Sequence, residues 1–294
     1  MKRRLFIRES AMTVVGISVF GKLACAESCF VADSPTATDI LGPFYRPNAP
    51  SKTDINPLGF KGRKLEIVGS IFDDRRFPVD DCLVEIWQAE SDGFYDNLSD
   101  GFNYRGSQKT GKNGRYRFVT TLPPPEPTDE SLAVYRPAHI HLRISSRGHQ
   151  DLITQIYFQG DSLLETDPST KAGAAIHRVL VIEKVSGKND SIRFDVHLKK
   201  QNVPDDKLFQ TISGIYKMTD GSLMRFYREG DLLFYQINNQ IWGGIAYEGD
   251  LSFGGDKDHT AARFEPQSNG EARVWFRFSR RRDTRLEGKK ILDY

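Results

Sequence analysis

Two histidines separated by one residue, His139 and His141, are the strongest indication of chemistry in this sequence. Successive side chains of a β-strand point to opposite faces, so residues i and i+2 share one face. A strand over this segment directs both imidazoles to the same side, which is how one strand donates two ligands to one metal ion. The same pattern also occurs on ordinary sheet surfaces, so the surrounding residues decide its meaning.

The segment that precedes the histidines adds charged groups. A proline-rich stretch, residues 123–127, contains Glu126, and the fixed φ angles of its prolines stiffen it. We therefore expect the Glu126 carboxylate to lie close to the start of the histidine strand. Together with His139 and His141 it forms a set of two histidines and one carboxylate, which is typical of Fe(II) oxygenases.

The elements that must position these residues are β-strands. From Lys64 onward the sequence runs in short alternating segments rich in Ile, Val, Phe and Tyr, separated by Gly, Pro, Asp and Asn. This pattern is typical of antiparallel sheets. We predict an all-β protein with an antiparallel β-sandwich over residues 27–200, in which the long loops 89–114 and 122–137 carry functional residues.

A polar break over residues 201–206 predicts a linker to a second domain. Six apolar runs joined by turn sequences follow within residues 207–294, which predicts a small β-meander or half-barrel. We expect its core to contain the large aromatic residues Phe226, Phe234, Trp242, Phe264 and Trp275. This segment gathers no cluster of titratable residues, so we expect an accessory role for it.

The N-terminus predicts export. Arg3 and Arg4 form a twin arginine, the apolar run of residues 11–20 is too short to span a bilayer, and residues 24–26 form an A-x-A-like cleavage site. We interpret residues 1–26 as a signal peptide of the twin-arginine type, with an uncleaved basic helix as the alternative. The mature protein is then expected in the periplasm or outside the cell, without a membrane span.

Charge and cysteine content narrow the choice of partners. The formal net charge is +2, and residues 1–26 account for the excess of basic residues. A near-neutral surface argues against nucleic acid, which binds clustered Lys and Arg, and favours a small-molecule partner. Cleavage after residue 26 leaves Cys29 and Cys82, which either form a disulfide in an oxidising compartment or remain apart, with Cys82 as a buried thiol.

Several motifs in order resemble a known family, the intradiol ring-cleaving dioxygenases, which include the protocatechuate and catechol dioxygenases. The similarity extends from about residue 40 to residue 198. The motifs are ILGPFY at 40–45, LVEIWQA at 83–89, GRYRF at 114–118, RPAHIH at 136–141 and QIYF at 155–158. Their order over this length is far more specific than any one of them.

The resemblance implies a metal site and an activity. Members of this family hold Fe(III) with two histidines and two tyrosinates, a set of hard ligands for a hard ion. His139 and His141 match the histidines, and Tyr95 matches one tyrosinate. The implied reaction uses O2 to cleave a catechol-type ring between its two hydroxyl-bearing carbons, which yields a muconate-type diacid and serves aromatic compound catabolism.

One position departs from the family pattern. The second tyrosine of the family lies thirteen residues before the first histidine, and here that position holds Glu126. A carboxylate is also a hard anionic ligand and a base, although a weaker base than a phenolate. Either Glu126 takes the place of the tyrosinate, or it is an exposed loop acid and Tyr135, Tyr104 or water completes the site.

The resemblance assigns further roles. Arg136 matches the family arginine that stabilises negative charge on the ring, and Gln155 matches a polar residue on the oxygen-binding side. Pro43, Phe44 and Tyr45 match the segment that lines the substrate ring. The expected partners are a small aromatic diphenol and O2, with the identity of the diphenol and homo-oligomer formation left open.

A rival interpretation comes from a different class of function. With its fourth ligand altered, the domain would bind iron or a catechol without turning it over, as a non-catalytic exported binding protein. Visible colour tests the metal site, because tyrosinate bound to Fe(III) absorbs visible light. Protein that stays colourless with iron would favour another metal or none. Oxygen uptake with a catechol separates catalysis from binding.

Overall fold

The computed structural model describes residues 35–129, 134–170, 175–184, 186–255, 260–267, 271–278 and 284–293. The residues from Pro35 onward form one compact unit. The predicted signal peptide, residues 1–26, and Cys29 lie outside the described residues, whereas Cys82 is a buried free thiol. Of the helices within the described ranges, none has the length and apolar character needed to span a bilayer.

The N-terminal part of this unit consists of short strands. The first eleven described strands are β1 (Leu65–Phe72), β2 (Leu83–Gln88), β3 (Arg105–Lys109), β4 (Arg115–Thr120), β5 (Glu126–Asp129), β6 (Val134–Arg136), β7 (His139–Ser145), β8 (Leu152–Phe158), β9 (Val179–Leu180), β10 (Asp190–Arg193) and β11 (Val196–His197). A five-stranded sheet has the order β3-β2-β7-β8-β9, and a four-stranded sheet joins β1 to β10, β11 and β4. Strands β5 and β6 form a separate hairpin.

The pairing differs in part from the antiparallel arrangement that we predicted. Strand β1 pairs in parallel with β10 and β11, and β8 pairs in parallel with β9, whereas the remaining pairs of these sheets are antiparallel. The parallel partners are joined through long stretches of chain, because a tight hairpin can connect only antiparallel strands. Alternating side chains show the burial of one face but not the direction of the neighbouring strand.

The two sheets share one hydrophobic core. Strand β1 contributes Leu65, Ile67 and Ile71, and β7 contributes Ile140 and Leu142, all at most 2% exposed. Residues of β2, β4, β8, β10 and β11 and of the adjoining loops also belong to the cluster. The core therefore holds β7 firmly in the middle of its sheet, so that the opposite face of this strand is a rigid platform.

The C-terminal part is a closed barrel. A short helix, α1 (Asp206–Ile212), precedes eight described strands. These are β12 (Gly214–Met218), β13 (Leu223–Glu229), β14 (Leu232–Ile237), β15 (Gln240–Gly249), β16 (Ser252–Gly254), β17 (Ala261–Pro266), β18 (Ala272–Phe278) and β19 (Thr284–Leu292). Each pairs antiparallel with its neighbour in sequence, and β19 pairs with β12 to close the barrel.

Closure corrects the predicted half-barrel. The last strand, β19, has the largely polar sequence TRLEGKKIL, so it lacks the apolar alternation on which the prediction rested. Without it the sheet cannot return to β12. Helix α1 also extends from the predicted linker, since Asp205 caps its first turn and buried Phe209 and Ile212 pack against the barrel core.

The barrel interior is filled with side chains. Phe226, Phe264 and Phe276 are at most 1% exposed, and Phe226 contacts each of the other two rings edge to face. Two of the aromatic residues expected inside lie elsewhere: Trp275 is 41% exposed, and Phe234 belongs to a different apolar cluster outside the barrel. The interior is therefore a packed core, as small barrels usually have, rather than a ligand cavity.

Candidate metal centre

The central strand β7 supplies the two histidines. Its alternate side chains Ile140, Leu142 and Ile144 enter the core, so His139 and His141 share the opposite face. Both histidines are 2% exposed. Their burial is unusual for a polar pair on a sheet surface and means that other groups must satisfy their ring nitrogens.

Tyr95 reaches the same place from the loop after β2. Gly93, at φ +88°, turns the chain there, and a Cβ atom at this glycine would lie 2.9 Å from Cδ of Pro127. The loop therefore packs closely against the β5–β6 hairpin. The Asp96 carboxylate accepts backbone N–H bonds from Ser99 at 2.8 Å and Asn103 at 2.9 Å, which holds the turn that follows Tyr95.

Glu126 stands at the start of β5, directly opposite Arg136 of β6. The residue is 8% exposed, which excludes the alternative that it is an exposed loop acid. Tyr135, by contrast, is 45% exposed. The hairpin therefore turns the carboxylate, rather than this neighbouring tyrosine, into the protein interior.

Four potential ligand atoms converge at this point. Oη of Tyr95 lies 3.4 Å from Nε2 of His139, 3.2 Å from Nε2 of His141 and 3.3 Å from Oε2 of Glu126. Oε2 of Glu126 lies 2.9 Å from Nε2 of His139. The carboxylate and the two imidazoles place one ligand atom each within 4.8 Å of one another. The four residues come from three separate segments, so only the fold brings them together.

The spacing and chemistry of these atoms suit a metal ion. Protein ligands about 2.1 Å from a common ion, the usual distance for imidazole and carboxylate, lie roughly 3.0–3.4 Å apart when neighbouring. Pro137 O lies 2.7 Å from Nδ1 of His139, so Nδ1–H donates to it and the Nε2 lone pair faces the cluster. Two imidazoles with a phenol and a carboxylate form a hard donor set that fits ferric iron.

Arg136 borders the same cluster. Its Nη1 lies 3.0 Å from Nε2 of His139 and 3.8 Å from Oε2 of Glu126, and its Nε donates to Oδ2 of Asp167 at 2.9 Å. Burial acts to lower the pKa of Arg136, but Tyr157 and the carboxylates of Asp167 and Glu126 outweigh burial and raise it. The guanidinium is thus a permanent positive charge beside the ligand atoms.

Gln155 lies behind the histidines. Its Nε2 is 3.2 Å from Nδ1 of His141, the ring nitrogen that faces away from Tyr95, and donates to Ile40 O at 2.9 Å. Its Oε1 accepts from Nη2 of Arg136 at 2.9 Å. These contacts link His141 to Arg136. The expectation that Gln155 lies on the oxygen-binding side stays a prediction.

A buried polar network beneath the site was not predicted. The hydroxyl of Tyr157 donates to Asp39 at 2.8 Å and lies 3.1 Å from Nη2 of Arg136, and Asp39 also pairs with the buried guanidinium of Arg178. Tyr157 belongs to the QIYF motif, but nothing in its spacing indicates a hydrogen bond to a residue 118 positions away. Such partners become visible only when the sheet is assembled.

Aromatic rings enclose the ligands. Trp87 stacks on the imidazole of His141, with ring centroids 4.8 Å apart and planes at 12°. Phe44 stacks on Tyr95, with centroids 4.6 Å apart and planes at 16°. A Cβ atom at Gly42 would lie 3.3 Å from Cε1 of His141, so this segment needs a glycine. The apolar walls lower the local polarity around the ligand atoms.

The three residues predicted to line the substrate ring, Pro43, Phe44 and Tyr45, make different contacts. Phe44 contacts Tyr95, as described, and is the member that faces the ligands. The carbonyl of Pro43 accepts from Nε2 of Gln240 at 3.3 Å. Tyr45 turns away, since its hydroxyl donates to Glu85 at 3.0 Å and accepts from Arg143 at 2.9 Å.

The surroundings of Tyr95 disfavour its ionised form unless a cation lies nearby. Burial, and next the Glu126 carboxylate, raise the pKa of Tyr95 well above its usual range. A phenolate at this position therefore requires a positive charge at close range, and a metal ion provides one. In its neutral form the phenol donates to Oε2 of Glu126 at 3.3 Å.

Comparison with known proteins identifies the family. A family model described as dioxygenase matches residues 40–200, which is more than half of the 294 residues and includes every residue of the cluster. The chain belongs to the intradiol dioxygenase family. The barrel strands β12–β19 lie beyond the segment that this dioxygenase model matches.

Relatives of the dioxygenase segment act on several ring types. The chain is 30% identical over 171 residues to a chlorocatechol 1,2-dioxygenase of Rhodococcus opacus, covering 51% of this chain and 66% of the relative. It is 34% identical over 149 residues to a hydroxyquinol 1,2-dioxygenase of a Rhizobium species, covering 44% and 49%. The chain thus spans between about half and two thirds of the length of these relatives.

The fold agrees with this family assignment. The crystal structure of catechol 1,2-dioxygenase from Acinetobacter radioresistens superposes with a TM-score of 0.52 at 26% sequence identity. The match covers 64% of this chain and 71% of that one. Strand β7, which carries both histidines, lies within the segment that the dioxygenase family model matches.

Proposed function

We propose that this protein is a non-haem Fe(III) dioxygenase that opens the ring of catechol-type diphenols between the two hydroxyl-bearing carbons. Both atoms of O2 enter the product, a muconate-type diacid. The observation that carries the proposal is the convergence of Tyr95, Glu126, His139 and His141, whose ligand atoms lie 2.9–3.4 Å apart in the measured pairs. Membership of the dioxygenase family supports the reaction class.

The cluster residues have distinct proposed roles. Tyr95, His139 and His141 would hold the iron, with Glu126 as the fourth ligand. Bound ferric iron would draw electron density from a chelating diphenolate and make its ring reactive toward O2. The protein binds and orients the diphenol and balances its charge.

We assign to Glu126 the task of accepting a substrate proton. A diphenol must lose its hydroxyl protons to bind as a dianion, and a base beside the ligand atoms takes one of them. Oε2 of Glu126, 2.9 Å from Nε2 of His139, lies at that position. A carboxylate is a weaker base than the tyrosinate of relatives, so proton removal here would favour more acidic diphenols.

Arg136 would stabilise the anionic ring. Its guanidinium is anchored by Asp167, Gln155 and Tyr157 at 2.9–3.1 Å and directs Nη1 toward the ligand atoms. A fixed positive charge in a buried site stabilises negative charge that develops during reaction without reorganising first. Trp87 and Phe44 would exclude water from the same space.

The test is an anaerobic titration of iron-loaded protein with a panel of catechols, followed by O2. We expect a change in the visible spectrum on catechol binding, and then a muconate-type product by mass spectrometry. His139→Ala protein provides the control, since it removes a ligand. Iron-loaded wild-type protein that binds catechols but releases no ring-opened product would refute the enzymatic proposal and favour the binding-protein interpretation.

A second candidate rests on the cluster of Glu126, His139 and His141, a two-histidine, one-carboxylate set that also suits Fe(II). The position of Tyr95 Oη, 3.2 Å and 3.4 Å from the two imidazole nitrogens, favours the ferric site. Colour discriminates between the two, because tyrosinate on Fe(III) absorbs visible light and Fe(II) without tyrosinate remains pale.

We extend the proposal to organisation and location. The two-sheet domain of residues 27–200 would act as a β-sandwich catalytic domain, followed by the barrel. Residues 1–26 would direct export by the twin-arginine route to the periplasm or beyond. The support is the twin arginine Arg3-Arg4 with its short apolar run. Replacing both arginines with lysine should leave the protein in the cytoplasm on cell fractionation.

A further inference from the structure

Part of the outer surface of the barrel, on β14 and β15, is buried against the dioxygenase domain. Along β14 the side chains alternate, with Leu233 and Tyr235 in the barrel core and Leu232 and Phe234 outside it. An outward residue of a barrel normally meets water, yet Leu232 is 2% and Phe234 1% exposed. Both belong to one apolar cluster with residues of the dioxygenase domain. The full cluster is Leu41, Tyr45, Trp87, Ala89, Tyr95, Ile153, Leu232, Phe234 and Ala246.

A continuous series of rings leads from this surface to a proposed metal ligand. Phe234 meets Tyr45 edge to face, with centroids 5.9 Å apart. Tyr45 meets Trp87 in the same way at 5.1 Å, and Trp87 stacks on His141 at 4.8 Å. Rings in van der Waals contact restrict one another, so the barrel sets the position of the ring that covers His141.

A second contact reaches the Tyr95 side of the site. Gln240, the first residue of β15, donates from Nε2 to the carbonyl of Pro43 at 3.3 Å. Phe44, which follows Pro43 in the chain, stacks on Tyr95. Ile241 packs against the same apolar cluster. The barrel thus fixes the segment that places a ring over the phenol.

Polar groups add contacts between the barrel and the dioxygenase domain at the edge of the apolar cluster. Arg143 donates to the Tyr45 hydroxyl at 2.9 Å and to Oδ2 of Asp151 at 2.9 Å, and its guanidinium lies 5.2 Å from the Phe234 ring centroid. Gly230, at φ +62° in the β13–β14 turn, approaches so closely that a Cβ atom would lie 2.9 Å from Oδ2 of Asp151. A side chain at this position would be strained by the positive φ and would have to displace the Asp151 carboxylate.

We propose that the barrel is a positioning element of the metal centre. The surface formed by Leu232, Phe234, Gln240, Ile241 and Ala246, here called the β14–β15 face, holds Tyr45 and Phe44 in place and through them Trp87 and the ligands His141 and Tyr95. The inference rests on the proposed metal site. It replaces the expected accessory role with a direct contribution to ligand geometry, and makes Phe234 and Gln240 positioning residues.

The experiment compares Phe234→Leu with Phe276→Leu in the full-length protein. Both changes remove a buried ring from the barrel, but Phe276 packs on Phe226 and Tyr235 inside it. Iron affinity is measured by competition with a chelator, and the tyrosinate-to-iron band by visible absorption. Residues that orient metal ligands typically contribute about 10–100-fold to affinity or activity, so we expect a tenfold or greater loss, with a shifted band, for Phe234→Leu. Phe276→Leu should lower the melting temperature but keep both quantities within about twofold.

A milder variant keeps the test decisive if Phe234→Leu fails to fold. Gln240→Ala removes one hydrogen bond from an exposed residue, and we expect a several-fold rise in KM with kcat little changed, because Phe44 is loosened over Tyr95. The inference is overturned if Phe234→Leu keeps the wild-type absorption band and iron affinity, or if Gln240→Ala keeps the wild-type KM. The proposed function stands in either case. Wild-type protein that binds no iron refutes the proposed function, and this inference with it.

Discussion

Oε2 of Glu126, the residue that the resemblance aligns with a family tyrosine, lies 2.9 Å from Nε2 of His139. Both groups are buried, and the hairpin that carries Glu126 places it opposite Arg136. The carboxylate is therefore part of the ligand cluster. It makes this site chemically distinct from one with two tyrosinates, because one strongly absorbing and strongly basic ligand is replaced by a weaker base.

Two substitutions at Glu126 separate its proposed roles. Glu126→Gln keeps the shape but removes the charge and the base, and we expect kcat to fall by about 10²–10⁴-fold, the usual contribution of a general base. Glu126→Tyr restores the family pattern and should add a second tyrosinate contribution to the visible spectrum. Stopped-flow kinetics and absorption spectra check both. Full activity in Glu126→Gln would contradict the proton-accepting role.

Tyr95→Phe should abolish the visible band of the iron-loaded protein and weaken iron binding at least tenfold. The reason is that in the proposed site the Tyr95 phenolate is the ligand that would give the charge-transfer absorption, and its oxygen lies 3.2 Å from Nε2 of His141. Tyr104→Phe and Tyr135→Phe serve as matched controls and should retain the band. A band that survives in Tyr95→Phe but disappears in either control would assign the tyrosinate to the other residue.

Arg136→Lys tests charge against geometry. Lysine keeps the positive charge but cannot reproduce the fork that contacts Asp167, Gln155 and Tyr157. We expect kcat/KM to fall about 10–100-fold, as for the loss of one preorganised electrostatic contact or its orientation. Steady-state oxygen uptake measures this. Unchanged kcat/KM would mean that the guanidinium contributes charge alone.

Iron removal should destabilise the protein. A ligand present at 100 times its dissociation constant stabilises the native state by about 2.7 kcal/mol. We therefore expect a lower melting temperature after chelation, with recovery when iron is restored. His141→Ala should abolish this dependence on iron, because it removes a ligand from the rigid face of β7. An equal iron-induced shift in His141→Ala would place the stabilising metal elsewhere.

Stability should depend on pH through His197. Burial lowers the pKa of His197, only partly offset by Asp195, and its ring stacks on Phe72 with centroids 5.2 Å apart. The unfolded chain then binds the proton more readily, so stability is present above the usual histidine pKa and falls as pH drops through it. Denaturant unfolding from pH 8 to pH 5 should show this decrease. His197→Gln should reduce the decrease, and an unchanged decrease in this variant would contradict the assignment to His197.

Much of the candidate site could be predicted because it lies in local patterns. The i, i+2 spacing of His139 and His141 requires only a strand to place both on one face, and the motif around Tyr95 identifies its loop. Glu126 could be named from its distance in sequence to His139. Whether its carboxylate is buried could not be predicted, because its burial depends on how the β5–β6 hairpin packs against the Gly93 turn.

Other contacts have no local signature. Asp39 and Tyr157 are 118 positions apart and meet through sheet assembly. Strand β19 closes the barrel through backbone pairing with β12, which its polar side chains do not predict. Phe234 reads as a core residue of the barrel, but the face of the strand on which it lies points toward the other domain.

From the sequence alone we could derive the strand-rich class, the residues with ligand chemistry and the similarity to the dioxygenase family, because side-chain type and short-range periodicity determine them. The tertiary structure alone decided that the buried Glu126 carboxylate lies 2.9 Å from Nε2 of His139, that Gln155 contacts both His141 and Arg136, and that β14 of the barrel packs against the dioxygenase segment. These relationships depend on packing between segments far apart in the chain, and the energy of such packing is not encoded in any one local pattern.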